Sequence, residues 1–175
     1  MTRGLRRGFV ALAMLAVMCG PHAAPSDDGD DQALSADEDY AAARAALKAG
    51  DSAAAVARLG SALKRFPDNA DVHNELGFAH RRLRQFDKAF VHYRRALQIN
   101  PQHRGAHEYI GEAYLLVGDL PAADRHLASL RAICVLSCDE LRDLEKSIAE
   151  YRMRGRVRAT PPSAPAAGLA KGARP

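Results

Sequence analysis

Apolar residues in this chain fall three and four apart, in blocks separated by glycine or proline. Val56, Leu59, Ala62, Leu63 and Phe66 share one helical face, and Val72, Leu76, Ala79 and Leu83 share the next. Ala89, Phe90, Tyr93, Ala96 and Leu97 repeat the arrangement, followed by Ala106, Ile110, Ala113, Tyr114 and Val117. The blocks end at Gly50-Asp51, Phe66-Pro67, Asn100-Pro101 and Gly118-Asp119. A glycine just past a helix accepts the left-handed conformation that closes it, and a proline pushes the residue before it out of helical geometry. The pattern predicts helices over 36–49, 52–65, 70–82, 87–99, 104–117 and 121–133, with Pro121 in the first turn, where its missing N–H costs nothing. Ser35-x-x-Glu38 has the capping-box spacing and is expected to start the first of them. Leu141, Leu144, Ile148 and Tyr151 predict one more amphipathic helix, over 138–153. No stretch alternates with the period of two that a strand requires.

The same residue types return 34 positions apart: Pro67 as Pro101, Ala55 as Ala89 and Ala123, Leu59 as Tyr93 and Leu127, Leu76-Gly77 as Ile110-Gly111. A period of this length marks a supersecondary unit that buries its apolar face only by stacking on copies of itself. Gly77 and Gly111 both fall inside predicted helices. A mid-helix glycine costs about 1 kcal/mol against alanine, so its return implies that a neighbouring helix needs the space.

The run His73-x2-Leu76-Gly77-x2-His80, then Ala89-x3-Tyr93 and Pro101, resembles the tetratricopeptide repeat, a helix-turn-helix unit. The following copy reads His107-x2-Ile110-Gly111-x2-Tyr114 and Ala123-x3-Leu127, with Val135 in the place of the proline, and the preceding copy is a weaker version over 36–69. The resemblance implies an all-α solenoid of three hairpins (36–69, 70–103 and 104–137), closed by a capping helix over 138–153. It also implies a concave groove, lined by the first helix of each hairpin, that binds a peptide or helix of a protein partner. By position the groove residues are Tyr40, Arg44, Leu47 and Lys48, then Asn74, Phe78, Arg81 and Arg82, then Glu108, Glu112, Leu115 and Leu116. Chaperone-tail-binding members of this family hold a terminal carboxylate with Lys and Asn. Arg44 and Glu75 stand where an Asn is needed, so that specificity does not transfer. His73, His80 and His107 take the places of the family's packing aromatics and are expected to pack as flat rings.

Composition adds detail at the ends. With five Phe, five Tyr and no Trp in 175 residues, the core is expected to be rich in alanine. Arg3, Arg6 and Arg7 precede the short apolar run from Phe9 to Met18 and a Gly20-Pro21 break, which predicts a secretory signal peptide over 1–24. The run is too short for a span of about 20 residues, so no transmembrane segment is expected. Met18 and Ala16 before Cys19 argue against a lipid anchor there. Residues 25–35 carry Asp27, Asp28, Asp30 and Asp31 without a basic residue, an acidic leader expected to stay unstructured. The Pro/Ala-rich segment 154–175 is expected to be a disordered basic tail, so the net charge of +4 conceals an acidic start and a basic end. A periplasmic or secreted destination leaves no nucleic acid to meet; the tail could at most touch an anionic membrane surface weakly.

Candidate chemistry is sparse. Cys134 and Cys138, an even pair in an exported chain, read as a disulfide pinning the corner before the last helix. The alternative is a redox or copper-handling accessory protein built on the same pair, since thiolates favour soft metals. His103 and His107 have ligand-like spacing, but His103 falls in the corner before its helix, and no metal site is assigned. No nucleophile elbow, phosphate loop or cofactor motif occurs. The sequence therefore predicts a non-enzymatic adaptor for an envelope protein, with self-association as a further possibility for the groove.

Overall fold

The computed structural model describes residues 28–159, with side chains described over 32–155. Its elements are α1 (Asp28–Ser35), α2 (Glu38–Ala49), α3 (Ser52–Arg65), α4 (Ala70–Arg82), α5 (Phe86–Ile99), α6 (Arg104–Val117), α7 (Leu120–Ile133) and α8 (Asp139–Ala159). The pairs α2/α3, α4/α5 and α6/α7 form hairpins that stack in chain order, and α8 packs on α6 and α7. The expected signal peptide, 1–24, and residues 160–175 of the expected tail lie outside the described residues.

Helix starts are chosen by short polar side chains that take up the free N–H groups of the first turn. Asp37 Oδ1 accepts from Tyr40 N at 2.9 Å, Asp51 Oδ1 from Ala54 N at 2.9 Å, Asn69 Oδ1 from Asp71 N at 2.9 Å and Asp119 Oδ1 from Ala122 N at 3.0 Å. At α6 an imidazole does this work, His103 Nδ1 accepting from Ala106 N at 3.1 Å. The expected Ser35 capping box does not form. Ser35 closes α1, its hydroxyl donating to Gln32 O at 2.8 Å, while Asp37 caps α2.

Three turns within the hairpins share one backbone device. Asp51 N bonds Ala46 O, Gln85 N bonds His80 O and Asp119 N bonds Tyr114 O, each just after a residue with positive φ. That residue is Gly50 (φ 85°) in the first turn and Gly118 (φ 87°) in the third, but Arg84 (φ 59°) in the second. A left-handed position without glycine is strained by its Cβ, and here the repeated fold imposes it.

The core is a string of clusters rather than one centre, as a stacked repeat dictates. Leu34, Tyr40, Ala43, Leu47, Ala55, Leu59, Val72 and Leu76 form the first; Ala89, Tyr93, Ile110 and Ala113 the next; Ala123, Leu127, Leu130, Leu144 and Ile148 the last. A Cβ on Gly77 would stand 2.5 Å from Tyr93 Cδ1, and one on Gly111 would stand 2.8 Å from Leu144 Cδ2. The glycines therefore admit a ring in the middle hairpin and the capping helix at the end.

Two expected packing positions lie outside the core. Leu83 and Val117 are exposed because each falls at the last turn of its helix, beyond the neighbour it would need. The leader also differs from expectation: Asp28–Ser35 is helical and Leu34 is buried in the first cluster, so the packed domain starts before residue 36. Leu34 docks the helix on that cluster, while Gln32, Ala33 and Ser35 stay exposed. At the other end α8 runs to Ala159 instead of stopping at 153, continuing its helical hydrogen bonding past the point where its apolar stripe ends.

The histidines tie first helices to second helices. His73 Nδ1 lies 3.1 Å from His92 Nδ1 while His73 Nε2 bonds Pro67 O at 3.0 Å; His107 repeats both contacts with His126 at 3.0 Å and Pro101 O at 3.0 Å. Since Nε2 must donate to the carbonyl, Nδ1 of each neutral first-helix ring accepts, and the partner ring donates. Burial holds all four below the ordinary histidine range, with His92 and His126 down to about 4.

Candidate functional site

The first helices α2, α4, α6 and α8 approach one another along the solenoid, whereas α3, α5 and α7 do not touch each other. Elements that crowd lie on the inside of a curve. The concave face is therefore made by α2, α4, α6 and α8, where the repeat spacing puts the groove candidates.

At the α2 end Tyr40 is buried in the first cluster, with the exposed Arg44 guanidinium 6.0 Å from its ring centroid. Leu47 is buried in the same cluster rather than lining the groove, and Lys48 is exposed. Both Arg44 and Lys48 border a recess of about 550 Å³ that Leu34 of α1 helps to close.

The middle of the face is an aromatic and cationic ladder. The Phe78 and Tyr109 rings are 5.1 Å apart, and the Arg81 guanidinium lies 5.2 Å from one and 5.4 Å from the other. Arg81 Nη1 donates to Glu112 Oε2 at 2.6 Å, and Ser147 Oγ of α8 donates to Glu112 Oε1 at 3.2 Å. This chain links α4, α6 and α8. Arg82 is exposed, 5.7 Å over Phe78.

Asn74 and Glu108, at equivalent places of successive repeats, are both buried. Asn74 Oδ1 has no hydrogen-bond partner, and its Nδ2 comes within 3.5 Å of where a Cβ on Gly105 would be. Among the described residues Glu108 makes no hydrogen bond or ion pair. Burial, then the nearby carboxylates of Glu112, Asp143 and Glu140, push its carboxyl up to about 8. Burial likewise raises Glu75. At the rim His103 Nε2 bonds Asp71 Oδ1 at 3.0 Å, which lowers the Asp71 carboxyl.

Besides Leu47, two further groove assignments change with these positions. Leu115 packs into the last cluster instead of offering an apolar contact, because α8 covers it; only Leu116 stays exposed. Arg81 is engaged by Glu112 and by two rings, so it acts as part of the wall. Tyr109, Asp143 and Glu140 were not among the sequence candidates. Spacing could have flagged Tyr109, next to Glu108, but the α8 carboxylates depend on how the capping helix docks.

Cys134 and Cys138 lie at the corner between α7 and α8 with Sγ–Sγ 2.04 Å and Cα–Cα 5.9 Å. No set of three or more His, Cys, Asp or Glu side chains capable of holding a metal occurs among the described residues. No described helix is long and apolar enough to cross a membrane.

A family model for the tetratricopeptide repeat matches residues 40–104, spanning α2 to the start of α6. Residues 40–104 are tetratricopeptide repeat. Tetratricopeptide repeats suggest a scaffold for contacts between proteins. No curated protein matches the sequence.

Proposed function

We propose that this protein is an exported, non-catalytic adaptor that holds a peptide or helix of an envelope partner along its concave face. One observation carries the reading: Arg44, Phe78 and Arg82 present charged and aromatic surface along the first helices, on the side where the hairpins crowd together. The basic, then apolar, then small-residue start of the sequence supports export. In an oxidising compartment Cys134 and Cys138 serve as a structural disulfide at the α7–α8 corner.

The test is capture from an envelope fraction with wild-type protein and with Phe78→Ala/Arg82→Ala. Arg82 is exposed and Phe78 half-buried, so the double variant should keep its melting temperature within a few degrees while losing specific partners. An identical set of captured proteins in both would refute the groove.

A further inference from the structure

We infer that the seat between α4, α6 and α8 receives an arginine or lysine side chain of the docked partner segment, held by Glu108 and Asn74. This rests on the concave face being the peptide-binding surface and goes on to give the chemistry of the peptide. Glu108 and Asn74 are each more than nine-tenths buried. Asn74 Oδ1 is an acceptor without a donor, and Glu108 is a carboxyl without a hydrogen bond or ion pair. Buried polar groups are seldom left unpaired, and Asn74 Oδ1 has lost its water without gaining a donor. Asn74 of α4 packs its Nδ2 against Gly105, one turn before Glu108 on α6, so the two side chains border the same stretch of the α4–α6 contact.

The surroundings select a cation. Glu112 on α6 and Asp143 and Glu140 on α8 lie close enough to raise the Glu108 carboxyl, and Arg81 of α4 opposes them. Arg81 is committed to Glu112, and Glu140 has Arg104 at 3.8 Å. Excess negative charge therefore remains around Glu108. One turn along the groove the protein already holds a guanidinium in this manner, with Arg81 paired to a carboxylate and laid over the Phe78 and Tyr109 rings. An incoming guanidinium has five N–H donors, enough to serve both vacant acceptors.

The state of Glu108 gives the seat a signature. Its carboxyl is held neutral up to about 8 by burial and by its acidic neighbours. A bound cation offsets both effects, so Glu108 ionises and its proton passes to solvent. Cation binding should therefore tighten as pH rises from about 6 to about 8 and level off by about 9, where the empty seat is itself mostly ionised.

The experiment uses the full chain and labelled nonapeptides on one neutral background, with arginine, citrulline or glutamate at the centre, read by fluorescence anisotropy. The arginine peptide should bind at least about tenfold more tightly than the citrulline peptide. Its affinity should rise between about pH 6 and about pH 8 and level off by about pH 9, and Glu108→Gln should abolish both effects. Glutamine matches the neutral acid in shape, so the variant should melt no lower than wild type at neutral pH. Equal affinity for arginine and citrulline, unchanged binding by Glu108→Gln, or no binding of any peptide would overturn the seat. If the citrulline or glutamate peptide binds and is lost on Phe78→Ala, the groove reading survives while the cationic seat falls. A carbodiimide cross-link from Lys171 to Glu108 or Asp143 in the free protein would assign the seat to the chain's own tail and overturn a partner's side chain as its occupant.

Discussion

Gly77→Ala tests whether the middle hairpin is closed by a ring pressed onto a bare helix backbone. The added Cβ would stand 2.5, 2.6 and 2.9 Å from three ring atoms of Tyr93, which has no exposed surface. Overpacking of this kind costs about 1–3 kcal/mol. Against it stands the preference of a helix interior for alanine, about 1 kcal/mol. The net expectation is a loss of about 1–2 kcal/mol. Gly60→Ala is the control: Gly60 lies inside α3 with nothing within 4 Å of its would-be Cβ, so only the favourable part remains. It should gain about 0.5–1 kcal/mol. Urea unfolding followed by far-ultraviolet circular dichroism reads both. Adding Tyr93→Leu to Gly77→Ala should recover part of the loss, since leucine is shorter than the ring; contacting residues couple by about 0.5–3 kcal/mol. If Gly77→Ala is as stabilising as Gly60→Ala, the close approach of Tyr93 is not what the glycine serves.

Arg84→Gly removes a Cβ from a left-handed turn at the loss of an exposed contact over Phe86, and should stabilise by about 0.5–1 kcal/mol in the same assay. Stability in the Glu108→Gln background should fall as pH drops from 6.5 toward about 4, because the unfolded chain binds protons that His73, His92, His107 and His126 refuse when buried; a flat urea midpoint over that window would contradict the neutral histidine pairs. In wild type Glu108 works in the opposite direction, its raised carboxyl losing stability as pH climbs from 4.5 to about 8, so the histidine slope should be steeper in the variant. Cys134→Ser/Cys138→Ser should cost about 2 kcal/mol and loosen the α7–α8 corner, seen as faster amide exchange at the start of α8; copper binding by the reduced wild-type pair would instead favour metal handling.

Much of the fold was legible because local signals agree with the repeat. Pro67, Pro101 and the two Gly-Asp turns mark helix ends, and the Leu76-Gly77 and Ile110-Gly111 pairs mark where helices meet. What escaped the sequence depends on contacts between distant residues. Leu34 sits in a run of aspartates that reads as solvated, and its burial is decided by the first cluster it docks on. Arg84 gives no turn signal, because the turn is imposed by hairpin closure on both sides. In the groove, position alone could list Arg81 and Leu115 but could not tell that Glu112 occupies the one and α8 covers the other. The acidic surroundings of Glu108 come from Asp143 and Glu140, whose register is set by how α8 lies on α6.

The central claim is that the partner lies along the inner face. A photo-crosslinking amino acid at Phe78, placed in the full-length protein in its own cells, should give a discrete protein adduct on irradiation. The same residue at Val91, exposed on the outer helix α5, should give none. An adduct at Val91 with none at Phe78 would contradict the account.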